Sequence, residues 1–89
     1  MKYRILHRHT GKPLYVADID CDKSTSDATR KGLAVIQAIK EDADFSDADL
    51  SGADLSRADL SDAFLNGADF SDADFSGAVL SRADLSRAV

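Results

Sequence analysis

Broken every fifth residue from Ala43, the second half of the chain reads ADFSD, ADLSG, ADLSR, ADLSD, AFLNG, ADFSD, ADFSG, AVLSR, ADLSR and then AV, ending at Val89. Nine full pentapeptides follow one another, and each begins with alanine. The third position is always Leu or Phe: Phe45, Leu50, Leu55, Leu60, Leu65, Phe70, Phe75, Leu80 and Leu85. The second is Asp except at Phe64 and Val79, and the fourth is Ser except at Asn66.

A period of five suits neither ordinary element. On an α-helix five residues turn about 140° past a full revolution, which scatters the Leu/Phe positions around the axis. On a strand an odd step sends successive Leu/Phe to opposite faces. Asp and Ser also compete for backbone hydrogen bonds inside a helix. Equivalent residues in a repeat need equivalent environments, so each pentapeptide must contain a turn. Stacked coils then bury the recurring Ala and Leu/Phe along one axis.

The A-D-L-S-x pattern over residues 43–89 resembles the pentapeptide repeat family, whose units read A-(D/N)-(L/F)-x-x. The resemblance implies a mainly β fold, a right-handed quadrilateral β-helix with four pentapeptides per coil and the Ala and Leu/Phe side chains inside. Nine repeats then make about two coils, in which repeats four apart overlie one another: Phe45 with Leu65 and Leu85, Leu50 with Phe70, Leu55 with Phe75, Leu60 with Leu80. At about 4.8 Å per rung the stack is only about 11 Å high. A solenoid so short needs its end covered, a task that falls to residues 1–42, the two parts forming one folding unit.

In that leader, residues 3–8 and 14–19 read as two strands of an antiparallel hairpin spanning about 2–20. HTGKP supplies the turn, with Gly11 free to take positive φ and Pro13 at a strand edge. Ser24, Thr25 and Ser26 are candidate helix N-caps, and a helix is expected over about 25–40. Its apolar stripe is Ala28, Gly32, Val35, Ile36 and Ile39, set to lie across Phe45, Leu50, Leu55 and Leu60. Such a leader is loosely similar to those of phage-type pentapeptide proteins.

The net charge of −5 is unevenly placed. Residues 1–42 hold eight Lys/Arg against six Asp/Glu, whereas the repeats hold ten Asp against Arg57, Arg82 and Arg87. The acidic repeats disfavour direct contact with nucleic acid or an anionic membrane. A single cysteine, Cys21, permits no intramolecular disulfide. The opening MKYRILHRHTGK has no apolar run of the secretory kind, and no segment approaches a membrane span. The expected location is the cytoplasm.

Candidate chemistry is weak everywhere. His7 and His9, two apart on a strand, would point the same way, yet no third ligand stands near them and a closed zinc site needs four. Asp18, Asp20 and Asp22 mimic the start of a calcium loop, but Lys23 replaces its glycine and Thr29 its final glutamate. The repeated Asp share one environment, outward and hydrated, whereas acid–base catalysis needs carboxylates driven to different pKa values. The repeated Ser have no paired base. The expectation is therefore no enzyme, no catalytic residue, no cofactor and no metal.

Phe64 and Val79 put apolar groups where the other repeats put Asp, which marks them as a possible contact surface. Leu85 and Val89 join them, because the last repeats leave an open rung whose unpaired edge invites another chain. The expected assembly is a homodimer through the C-terminal coil, which the resemblance also implies for longer family members. Two functions are then in view. One is a non-catalytic module for protein–protein interaction or scaffolding, with an unknown protein partner. The other is implied by the resemblance to the quinolone-resistance type of pentapeptide protein: an acidic mimic of duplex DNA that binds DNA gyrase or another DNA-binding protein. The height of about 11 Å matches only about three base pairs, which argues against the second.

Overall fold

The computed structural model describes all 89 residues. Its only regular strands are β1 (Lys2–Leu6) and β2 (Pro13–Asp18), paired antiparallel with Tyr3 opposite Ala17 and Arg4 opposite Val16. Alternation sorts the two faces: Ile5 and Ala17 are buried while Arg4 and Val16 are exposed. Gly11 makes the turn with φ of 73°. β1 ends at Leu6, earlier than the sequence suggests, because the register slips between Ile5 and Leu6.

Helix α1 (Asp27–Lys40) starts where Ser26 accepts a hydrogen bond from the Thr29 N–H. Asp27 in the first turn and Lys40 in the last complement the helix dipole. Its buried residues are Gly32, Ala34, Val35 and Ala38. Ile36 and Ile39, expected as part of the apolar stripe, are only half-buried. The small residues take the face because the helix backbone comes very close to the repeats. A Cβ on Gly32 would fall well under 3.0 Å from the Asp54 carbonyl oxygen.

The helix leaves through Glu41 and Asp42, and Asp42 adopts a φ of 58°. The fifth residue of all nine repeats does the same: Asp47, Gly52, Arg57, Asp62, Gly67, Asp72, Gly77, Arg82 and Arg87 lie between 57° and 73°. Each pentapeptide is thus closed by a left-handed corner, the turn that a period of five requires. Six of these corners are not glycine, a conformation that costs most L-residues about 1 kcal/mol, so stacking has to hold them.

The stacking is visible in the hydrogen bonds. The Phe45 N–H donates to the Phe64 carbonyl at 2.9 Å, Leu50 to Asp69 at 2.8 Å, Leu55 to Asp74 at 2.8 Å and Leu60 to Val79 at 2.8 Å. Corner residues repeat the pattern, Asp47 to Asn66 and Arg57 to Ser76. Parallel bridges join residues twenty apart, such as Asp49 with Asp69 and Asp54 with Asp74. Twenty residues with four corners therefore make one coil, and the next coil lies against it. The contacts between coils are single bridges rather than continuous strands, because each side is interrupted by a corner after five residues.

The leader meets the first coil from two directions. The Asp49 N–H donates to the Leu6 carbonyl and the Arg8 N–H to the Asp47 carbonyl, so the hairpin edge pairs with one side. The Asp54 N–H donates to Ala28, and Lys31 Nζ donates to the Ser51 carbonyl at 2.8 Å, so the helix takes the next. Both the hairpin and the helix therefore bond to the first coil. Beneath them Phe45, Leu50, Leu55, Leu60 and Leu65 are fully buried, and the Tyr15 ring meets Phe45 edge-on at 6.3 Å. Phe70, Phe75 and Leu80 are half-buried, with Phe70 and Phe75 in edge contact at 4.9 Å. Leu85 is exposed.

Candidate interaction surface

The outer surface of the repeats is built from one local unit. In seven repeats an Asp carboxylate oxygen accepts both the N–H and the hydroxyl of the Ser two residues on, as in Asp44–Ser46 at 2.9 and 2.6 Å and Asp59–Ser61 at 3.1 and 2.6 Å. The same pair of bonds recurs at Asp49, Asp54, Asp69, Asp74 and Asp84. The carboxylate satisfies a backbone donor that the corner would otherwise leave to water. These Asp are therefore not merely hydrated, as the sequence suggests; they brace the turn. The Ser hydroxyls, and then the Ser N–H groups, hold the carboxyls of Asp44, Asp59, Asp69, Asp74 and Asp84 below the usual carboxylate range. The Ser51 hydroxyl does the same for Asp49 against a larger cost of burial.

Repeating this unit gives an acidic surface on which the carboxyls of Asp44, Asp49, Asp59, Asp69, Asp74 and Asp84 are all pushed in the same direction. That is a pattern of structural ionisation, with no pair divided into acid and base. One rung-to-rung ion pair crosses it, Arg82 Nε with Asp62 at 3.0 Å, both side chains largely in solvent.

Two repeats lack the unit. Phe64 is 54% exposed and Val79 46% exposed. Phe64 bridges to Asp44 above it and Asp84 below, and Val79 bridges to Asp59. They fall on adjacent sides of the second coil, each set among carboxylates. Leu85 and Val89 lie on the lower coil, 38% and 64% exposed. Val89 is tied in by its backbone, accepting from Phe70 and donating to Ala68.

The other candidates resolve into local structure. His7 bridges to Ala48 just past β1 while His9 lies in the hairpin turn, and His7 Nδ1 accepts the N–H groups of His9 and Thr10. Asp18 faces the N-terminal ammonium and Lys2, while Asp22 takes up Ser24 and Thr25 ahead of the helix. These acids do not converge, and no three metal-ligating side chains gather anywhere. No helix is long and apolar enough to cross a membrane.

One feature escapes the sequence. Arg8, His9, Asp47, Asn66, Gly67 and Arg87 surround a polar notch of about 290 Å³ at a corner of the stack. Asp47, Gly67 and Arg87 overlie one another at the twenty-residue spacing of the coils, but nothing in the sequence announces that Arg8 and His9 of the hairpin turn join them. Asn66, the lone departure at the fourth position, is bonded to the Ser46 hydroxyl at 2.8 Å. That hydroxyl has one proton and a 2.6 Å bond to Asp44, so the Asn66 amide nitrogen is the chemically consistent donor to it.

Comparison with known proteins agrees with the repeat reading. The sequence profile described as pentapeptide repeats matches in eight copies, over residues 41–77 and 53–89. No curated protein and no solved structure matches the chain.

Proposed function

The chain belongs to the pentapeptide repeat family, and from that premise we propose that it is a non-catalytic β-helix module that binds another protein. In this reading the coils form a right-handed quadrilateral β-helix and residues 1–42 act as its cap. The observation that carries the functional proposal is the pair of exposed apolar groups, Phe64 and Val79, in the only two repeats without the Asp brace. An Asp at either place would cost the fold little, so their apolar character points to a contact rather than to packing. A partner surface for this face is apolar at its centre and basic at its rim, because Asp44, Asp59 and Asp84 surround the two side chains.

Affinity capture with the intact chain tests this, comparing wild type with a Phe64→Asp, Val79→Asp double variant that keeps its circular dichroism spectrum. A partner held by wild type and released by the variant supports the reading; a partner held equally by both sinks it. Self-association through the lower coil belongs to the same proposal, since Phe75, Leu80 and Leu85 are incompletely covered. Light scattering then gives about twice the chain mass of 9.5 kDa, and Leu85→Arg returns it to one.

A further inference from the structure

The polar notch differs from the rest of the acidic surface in its charge. Arg8 and Arg87 both line it, and neither has a carboxylate within ion-pairing distance; the ion pairs of the molecule are Met1–Asp18, Lys2–Asp18 and Arg82–Asp62. The reason for Arg87 lies in the column. Arg82 finds Asp62 one coil above it, but the residue one coil above Arg87 is Gly67. The missing side chain both deprives Arg87 of a partner and hollows out the notch. Arg8 enters from the hairpin turn and spends one N–H on the Gly67 carbonyl at 2.8 Å. A guanidinium has five such donors. Asp47 forms the upper wall, with its carboxylate lying over Gly67, where a Cβ would strike it.

We propose that this notch binds a phosphate group. Two arginines line it from different elements, and His9 lines it beside them. One guanidinium fork satisfies the two oxygens of a carboxylate; the three terminal oxygens of a phosphoryl group can engage both. Asp47 opposes the bound charge and keeps the site weak. Neither Phe64 nor Val79 lines the notch, so its failure leaves that reading untouched.

The test is a titration of the intact chain with sodium phosphate against sodium chloride at matched ionic strength, followed by amide NMR. Saturable shifts are expected at His9, Gly67 and Arg87, with a Kd of about 1 mM. Arg87→Gln should weaken binding by about tenfold, the loss of one charge-assisted contact. Asp47→Asn should tighten it several-fold, and asparagine tolerates the left-handed corner. Arg57→Gln, a corner arginine outside the notch, should change nothing. Phosphoserine and acetate extend the comparison. Tighter binding of phosphoserine assigns the site to a phosphoryl group carried on a larger ligand, and tighter binding of inorganic phosphate to the free ion; both uphold the proposal. Shifts that fail to saturate, equal shifts with acetate, or an isotherm unchanged by both Arg87→Gln and Asp47→Asn would overturn it.

Discussion

Gly32→Ala separates local propensity from tertiary contact, because the two predict opposite signs. In a helix interior, alanine is favoured over glycine by about 1 kcal/mol, and residue 32 lies in the middle of α1. Yet a Cβ at this position meets the Asp54 carbonyl oxygen well under 3.0 Å, and that oxygen belongs to a backbone held between the helix and the second coil. Relief requires the helix to retreat by about 1 Å. That retreat stretches the Asp54-to-Ala28 hydrogen bond from 3.0 Å and the Lys31-to-Ser51 bond from 2.8 Å, at about 1 kcal/mol each. Overpacking adds about 1–3 kcal/mol. After subtracting the propensity gain, the variant should be about 2–4 kcal/mol less stable. For a domain this size that is a fall in Tm of about 10–25 °C. Urea denaturation followed by circular dichroism measures it, with Leu33→Ala, at an exposed residue of the same helix, as a control. A Gly32→Ala protein as stable as wild type, or more so, would refute the close approach of helix and coil.

Leu60→Lys should prevent folding, since it puts an unpaired charge at a fully buried position, whereas Asp59→Lys, exposed and one residue away, should lower the urea midpoint only slightly; matching melts for the two would show the five-residue phase to be wrong. Val79→Asp should be neutral or mildly stabilising, because Ser81 stands two residues on, in the place that bonds the carboxylate in seven other repeats; a marked fall in Tm would mean that Val79 is needed for packing. Acid should unfold the protein cooperatively. The carboxyls of Asp44, Asp49, Asp59, Asp69, Asp74 and Asp84 are lowered in the folded state, so their contribution is complete above the unfolded carboxylate pKa of about 4 and drains away as pH falls below it. A urea midpoint that stays flat from pH 6 to about pH 2 would contradict this.

The repeat was legible because its signal is redundant. Nine alanines and nine Leu/Phe in one phase determine which residues face the axis, and one turn per five residues follows from the period alone. The Asp-to-Ser spacing was equally plain to see, but its meaning was not: only folded geometry shows one carboxylate oxygen taking both a backbone N–H and a hydroxyl. The hairpin and helix were readable from Gly11, Pro13, Ser26 and the apolar spacing, with their ends displaced by no more than two residues, since a register slip after Ile5 and a single capping bond at Ser26 decide them. What the leader does with the first coil was decided by tertiary contact. Gly32 looks like a weakness in a helix until the Asp54 carbonyl is set against it, and nothing in the sequence of Leu6 and Arg8 tells that their backbone pairs with Asp49 and Asp47. The notch lies at the far end of the same scale. Gly67 and Arg87 fall in one column of the twenty-residue coil, but Arg8 shares no period with them, and only the stacking of the coils against a hairpin turn brings all three to one corner, because charge and close approach depend on distance in space and not on distance along the chain.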